Sequence, residues 1–435
     1  MNVNDILKKV LQDIVPDEKE LDRAKKAEVE LKKRLESLEV EYIFVGSYPR
    51  NTWIKGNLEI DVFIMFPPHL DKGEMEARGL EIGKMVLDSY EIRYAEHPYV
   101  HGKIFGVEVD VVPCYKISDP RKIKSAVDRT PFHHSWLKDK IKGKENEVRL
   151  LKKFLKSNGI YGAEYKVRGF SGYLCELLIV FFGSFLDVIR SATKWTRRTV
   201  IDVAKGEIRR GKCFFVVDPV DEKRNVAANL SIDNLARFVQ LCRDFMTSPS
   251  LEYFYEKRIK VSSSKLKSII EKRNSVIFLV KFRKPDIVED NLYPQLEKAS
   301  RKVFSFLERE RFMPLRSSYV VGGEYCYLLF ECQVVELSRI FKKMGPPFEE
   351  EDHVRRFLSK KRDFRPFLEN GRWWVYDYRE FSKPEEAVAN YIRRNWKSMG
   401  KNVGEELAKW FTILSGSRII EEEISEHLYK FLGVL

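Results

Sequence analysis

The sequence predicts an α+β chain of several domains: an N-terminal sheet with helices, a helical centre, and a C-terminal α+β region. Three observations carry this. At 435 residues the chain is long enough for two to four separately cored domains. Ile60, Val62 and Ile64 alternate with Glu59 and Asp61, as Val107, Val109 and Val111 do with Glu108 and Asp110, the period of half-buried strands. Elsewhere apolar residues recur at helical spacing, notably over 144–162, 171–192 and 230–250.

The elements follow in order. Residues 17–38 keep Leu21, Ala24, Leu31, Leu35 and Leu38 at helical spacing behind Asp17, an N-cap candidate. Strand 41–46 leads into VGSYPRNTWIKGNLEIDVFIMF (45–66): a strand end, a Gly-Ser turn, a polar connection with Arg50 and Lys55, and a second strand. Residues 69–90 predict a helix, and 91–115 a hairpin turning near His101-Gly102. The first domain is assigned to 1–143.

A helical domain is assigned to 144–257. Its helix at 144–162 stops at Asn158-Gly159. A helix at 171–192, apolar nearly all round, should be its buried centre, and 230–250 closes it. Residues 258–435 form the third region, read as two subdomains, with strand 274–282, helix 291–310, paired strands within 311–337 joined at Gly322-Gly323, and a strand at 372–381. Residues from 384 read as mostly helical. The βαββ order predicts a small open-faced sheet of the kind that binds RNA.

Lysine plus arginine number 78 against 65 aspartate plus glutamate, a net charge of +13. The excess fits a polyanionic partner, nucleic acid first, and equally the plainer reading of a solvated basic surface. Residues 190–212 carry eight basic and two acidic side chains and, with the third region, are the natural place for phosphate contacts. Six cysteines without CxxC or zinc spacing read as reduced thiols of a cytoplasmic protein. The N-terminus lacks the apolar segment of a signal peptide. The longest apolar run, Leu177 to Leu186, is short and glycine-interrupted, so no membrane partner is expected. Only four glutamines among many charged residues hint at a thermophilic source.

Glu59 and Asp61 share one strand face, and Asp110 holds the matching polar phase of a later strand. If the two strands are neighbours, three carboxylates converge where a divalent cation and a substrate phosphate would neutralise them. Glu108 shares the face of Asp110, so spacing does not choose between them. The plainer alternative puts Glu59 and Asp61 on the solvent face of an edge strand. Gly46 and Ser47 offer backbone N–H groups and a hydroxyl to phosphate, and Arg50 suits bidentate contact with its oxygens. On sequence alone, His133 reads as an ordinary loop histidine, Lys152 as part of a solvated helix face, and Tyr161 as a helix-end packing residue.

The string GSYPRNTWIKGNLEIDVF resembles the nucleotidyltransferase superfamily built on the polymerase-beta-like palm. Taken with VEVDVVPCY, RTPFHH, KENEVRLLKKFLKSNGIYGAEYKVRGFSGYLCELL and VVDPVDEKRNVAANLS, it resembles the archaeal, class I CCA-adding tRNA nucleotidyltransferases. FRKPDIVEDNLYPQLEKASRKVF and MGPPFEEE extend the likeness into the last third. The resemblance implies addition of C, C and A to the 3′ end of tRNA from CTP and ATP without a nucleic-acid template. It implies Glu59, Asp61 and Asp110 as catalytic acids binding two Mg2+ ions. It places Gly46, Ser47, Arg50, His133, Lys152 and Tyr161 around the nucleotide and Arg224 at its base. Pro49 departs from the small residue expected there and removes no ligand. The expected partner is the tRNA acceptor end, with a homodimer left open. The rivals are a poly(A)-type nucleotidyltransferase and a non-catalytic RNA-binding protein with a degenerate palm.

Overall fold

The computed structural model describes residues 2–94, 97–256 and 262–433. The chain divides into two compact units, Met1–Lys257 and Arg258–Leu435. The assigned boundary at 257/258 lies outside the described residues.

In the first unit, α1 (Val3–Ile14) and α2 (Glu18–Ser37) precede β1 (Tyr42–Val45) and β2 (Glu59–Phe66). Helix α3 (Lys72–Val86) then leads to β3 (Ser89–Tyr94), β4 (Pro98–Ile104) and β5 (Val107–Tyr115). Asp17 does cap α2, accepting from the Glu20 N–H at 2.9 Å. The five strands form one sheet in the order β1-β2-β5-β4-β3, with β2 and β5 parallel and the other pairs antiparallel. Placing α3 in the connection from β2 satisfies the crossover that parallel neighbours need.

The turn predicted at His101-Gly102 lies instead at Phe105-Gly106. Both residues have positive φ, 49° and 74°, as a two-residue hairpin turn of the primed type requires. His101 and Gly102 are therefore strand residues of β4, and 89–115 is a three-strand meander rather than one hairpin.

The helices that follow are α4 (Thr130–Leu137), α5 (Glu145–Ser157), α6 (Gly172–Phe182) and α7 (Phe185–Ala192). A three-stranded sheet of β6 (Thr199–Asp202), β7 (Glu207–Arg210) and β8 (Phe215–Val217) comes before α8 (Ile232–Thr247). The single helix predicted for 171–192 is two, bent by 93°. Gly183, at φ +95°, ends the first, and Ser184 caps the second through the Asp187 N–H. Among the described residues no single helix is long and apolar enough to cross a membrane. Unpredicted α1 contributes Ile6, Leu7, Val10 and Ile14 to the same core as α5–α8, so the N-terminus of the chain packs with the helical centre.

The second unit contains α9 (Ser263–Lys272), β9 (Val276–Arg283), α10 (Glu289–Arg309), β10 (Pro314–Val321), β11 (Tyr325–Cys332) and β12 (Ile340–Pro347). These are followed by α11 (Glu351–Leu358), β13 (Phe367–Glu369), β14 (Arg372–Tyr378), α12 (Pro384–Asn395), α13 (Lys401–Lys409), β15 (Phe411–Ser415) and α14 (Ser425–Phe431). β15 returns to pair with β9, giving the sheet order β10-β11-β9-β15 within a stretch read as helical. The predicted open face is covered. Phe278, Val280 and Phe282 pack with α10, α12 and α13, while Ile277 and Leu279 pack with α9 and α14 on the other side. Burial on both faces explains why β9 reads as an unbroken apolar run.

Candidate active site

The register of the first sheet brings the acids together. In the parallel β2–β5 ladder Glu59 stands opposite Glu108 and Asp61 opposite Asp110. Ile60, Val62 and Ile64 join Val107, Val109 and Val111 in the core beneath, which leaves the carboxylates on the other face. His101 of β4 stands opposite Asp110. Its Nδ1 lies 2.6 Å from Asp110 Oδ1 and its Nε2 3.0 Å from Glu108 Oε2. Glu108 is also paired with Lys103 at 2.9 Å. In the ladder Asp110 is level with Asp61, while Glu108 is engaged by Lys103 and His101.

The three acids resist ionisation. Burial, then repulsion from Glu59 and Asp110, pushes Asp61 up to about 8 against the pull of Arg50 and Lys152. Desolvation and the charge of Asp110 raise Glu59, and desolvation raises Asp110 in spite of His101. Ligand atoms of Glu59, His101 and Asp110 lie within 4.8 Å of one another. A cluster of carboxylate oxygens whose negative charge is under-compensated fits a hard divalent cation.

Asp61 closes against the Gly-Ser turn. Gly46 has φ +77°, and a Cβ there would overlap Asp61 Oδ2. Only glycine meets both demands, so the backbone of the turn and the carboxylate share one small space. Pro49 is exposed at the turn. Next to it Arg50 is buried and held by Glu176 of α6: Nε donates to Oε1 at 3.1 Å and Nη2 to Oε2 at 2.8 Å. Thr52 Oγ1 donates to Glu176 Oε1 at 2.6 Å, and Lys152 Nζ donates to the Thr52 carbonyl at 3.0 Å. Burial opposes ionisation of Glu176, but Arg50, Lys152 and these hydrogen bonds outweigh it and hold it below its usual value. Burial lowers Lys152. His134 Nδ1 lies 3.3 Å from Arg50 Nη1, and burial and that cation hold His134 down at about 4, so it is a neutral acceptor.

Across the cleft, His133 stacks on Tyr173 with centroids 4.1 Å apart, and its Nε2 lies 2.8 Å from Asp218 Oδ2. Arg224 Nη1 donates to the same oxygen at 2.8 Å.

Gly46, Ser47, Arg50, His133, Lys152, Tyr161 and Arg224 all line one cleft of about 410 Å³. Lys152 is on the inner face of α5 and buried, not solvated as its helix suggests by itself. Glu176, Tyr173 and Asp218 escape sequence reasoning. Glu176 had one visible signal, being the lone charge in GYLCELLIVFF.

Three family models match the chain: a nucleotidyltransferase domain over 24–133, a tRNA nucleotidyltransferase second domain over 146–255, and a CCA-adding enzyme C-terminal domain over 273–416. The chain is 64% identical over 435 residues to the CCA-adding enzyme of Archaeoglobus fulgidus, covering 100% of each. It is 38% identical to that of Methanocaldococcus jannaschii, covering 92% of this chain and 93% of the relative. To that of Thermococcus gammatolerans it is 35% identical, covering 100% and 98%.

Proposed function

The chain belongs to the archaeal, class I CCA-adding enzymes, and from that premise we propose how its residues divide the work of adding C, C and A to tRNA from CTP and ATP. The observation that carries the proposal is the juxtaposition of Asp61 and Asp110 across one ladder, against the glycine turn at the lip of the cleft. In this reading Glu59, Asp61 and Asp110 are the catalytic acids.

Enzymes with a nucleotidyltransferase domain generally use divalent metal ions. Held by these three carboxylates, two Mg2+ ions would lower the pKa of the tRNA 3′-hydroxyl and neutralise the departing pyrophosphate. The chain's own residues do the positioning. The Gly46 and Ser47 backbone and the Ser47 hydroxyl receive triphosphate oxygens. Arg50, immobilised by Glu176, and Lys152 supply positive charge from buried positions, where charge counts most. Tyr161 and His133 border the sugar and phosphates, and Arg224 faces the base. No side chain serves as a nucleophile, since the 3′-hydroxyl attacks the α-phosphorus in line and pyrophosphate leaves.

Residues 1–143 act as the catalytic domain, 144–257 complete the nucleotide cleft, and 258–435 bind tRNA. The reading carries the further expectation of a cytoplasmic enzyme and leaves a homodimer open, which light scattering decides.

Truncated tRNA incubated with CTP, ATP, UTP and GTP, separately and together, with and without Mg2+, tests the reading. Extension that stops after three nucleotides and requires the cation supports it. Long A tails would replace it with a poly(A)-type activity, and no extension would replace it with RNA binding alone.

A further inference from the structure

One buried carboxylate behind the cleft wall, Asp218, carries more contacts than a loop staple needs. It is fully buried, and its Oδ2 lies 2.8 Å from both His133 Nε2 and Arg224 Nη1. Tyr173 donates its hydroxyl to Oδ1 at 3.2 Å, and the Val220 N–H donates to the same atom at 3.0 Å. The backbone ties the two ends of the 218–224 loop together as well, with Asp218 N–H donating to the Arg224 carbonyl at 3.1 Å. Burial opposes the charge of Asp218, yet the His133 hydrogen bond and the cations beside it hold the carboxyl below its usual range. An ionised Asp218 only accepts, so His133 must carry its proton on Nε2.

We propose that Asp218 is a positioning residue for base selection, fixing the Arg224 guanidinium, and His133 with it, in the one orientation that reads the nucleotide's edge. The proposal rests on the reading of Arg224 as the group that faces the base. The chemistry requires such a tether. Cytosine N3 and adenine N1 are acceptors, whereas uracil N3 and guanine N1 carry hydrogens. A guanidinium held still offers a donor that the first two satisfy and the last two oppose. A free arginine could swing aside to relieve that opposition. Its side chain is 36% exposed, so packing alone does not hold it. Asp218 pins one terminal nitrogen and leaves the rest of the fork for the cleft. The same oxygen also accepts from His133, so one carboxylate holds both donors in place.

Single-turnover incorporation of each of the four nucleotides onto truncated tRNA, in full-length protein, tests this with D218N, R224Q and the double variant. D218N keeps the shape but removes the charge, and its NH2 group cannot accept, so either the His133–Arg224 pair or the Tyr173–Val220 pair loses its acceptor. It should lower the preference for CTP over UTP and for ATP over GTP by about tenfold or more, the worth of one charged hydrogen bond. Most of the loss should appear as a raised KM for the correct nucleotide, and once Arg224 is gone D218N should change selectivity little further. D218N selecting like the unaltered protein, or the two substitutions acting additively, would overturn the proposal. R224Q selecting normally would instead overturn the reading of Arg224 itself. Should circular dichroism show D218N unfolded, D218E, which keeps the charge and displaces it by one methylene, should show the same loss of selectivity. Unaltered selectivity in D218E would likewise overturn the proposal.

Discussion

Asp61 and Asp110 stand directly opposite one another in the parallel β2–β5 ladder, and burial raises the proton affinity of both. Replacing either by Asn removes a charge without changing volume. Nucleotide incorporation should fall by roughly 10³-fold or more, several kcal/mol of transition-state stabilisation. Affinity for tRNA should change little. Full-rate incorporation by both variants would remove these residues from the reaction.

Gly46→Ala should damage the same site from the other side. The added methyl collides with Asp61 Oδ2 and the residue must hold φ +77°. A destabilisation of about 1–3 kcal/mol and a fall in kcat should accompany each other. A denaturation midpoint and kcat equal to those of the unaltered protein would show that the turn relaxes freely.

Glu176→Gln leaves Arg50 and Lys152 without their shared buried anion. Removing one partner of such a pair costs about 3–5 kcal/mol. Urea denaturation should show that loss, and KM for both nucleotides should rise because Arg50 is no longer held. An unchanged KM in a folded variant would argue that Arg50 needs no anchor.

His134 gives a pH signature. Burial and the neighbouring Arg50 charge hold it at about 4, below the ordinary 6.5. The unfolded chain therefore binds more protons between these values, so stability is complete above about 6.5 and is lost as pH falls toward 4. The effect should be about 1–3 kcal/mol, and His134→Asn, which keeps an acceptor for Arg50, should flatten it. Thermal denaturation across pH 4–7 reads the difference between the two proteins.

Binding of tRNA should weaken steeply with salt. Lys194, Arg197, Arg198, Arg209 and Arg210 line one groove beside the β6–β7 hairpin. Each phosphate contact removed by substituting one of these should reduce the slope of log K against log salt by about 1. A slope unaffected by Arg197→Ala together with Arg198→Ala would place the RNA elsewhere.

Local patterns in the chain specify β2, β5, α2 and the βαββ order of the second unit, because strand and helix periods and the Asp17 cap are short-range properties. They also place Glu59 and Asp61 on one face, since alternation along a strand needs no partner. The break at Gly183-Ser184 was less legible: apolarity says that 171–192 is buried, not that it is straight. The meander turn was missed for a similar reason, as Phe105 is an unusual residue at positive φ while His101-Gly102 looks like a turn.

By itself, then, the sequence determined elements such as α2, β2 and β5, the acids available to the site and, through its long resemblance, the family. Only the tertiary structure decided that Asp110 rather than Glu108 meets Asp61, and that Glu176 and Asp218 anchor Arg50 and Arg224. Strand register and the partner of a buried charge depend on segments far apart in the chain. Arg50 and Glu176 are 126 residues from each other, and no local propensity records which distant cation will compensate a carboxylate once water has been removed.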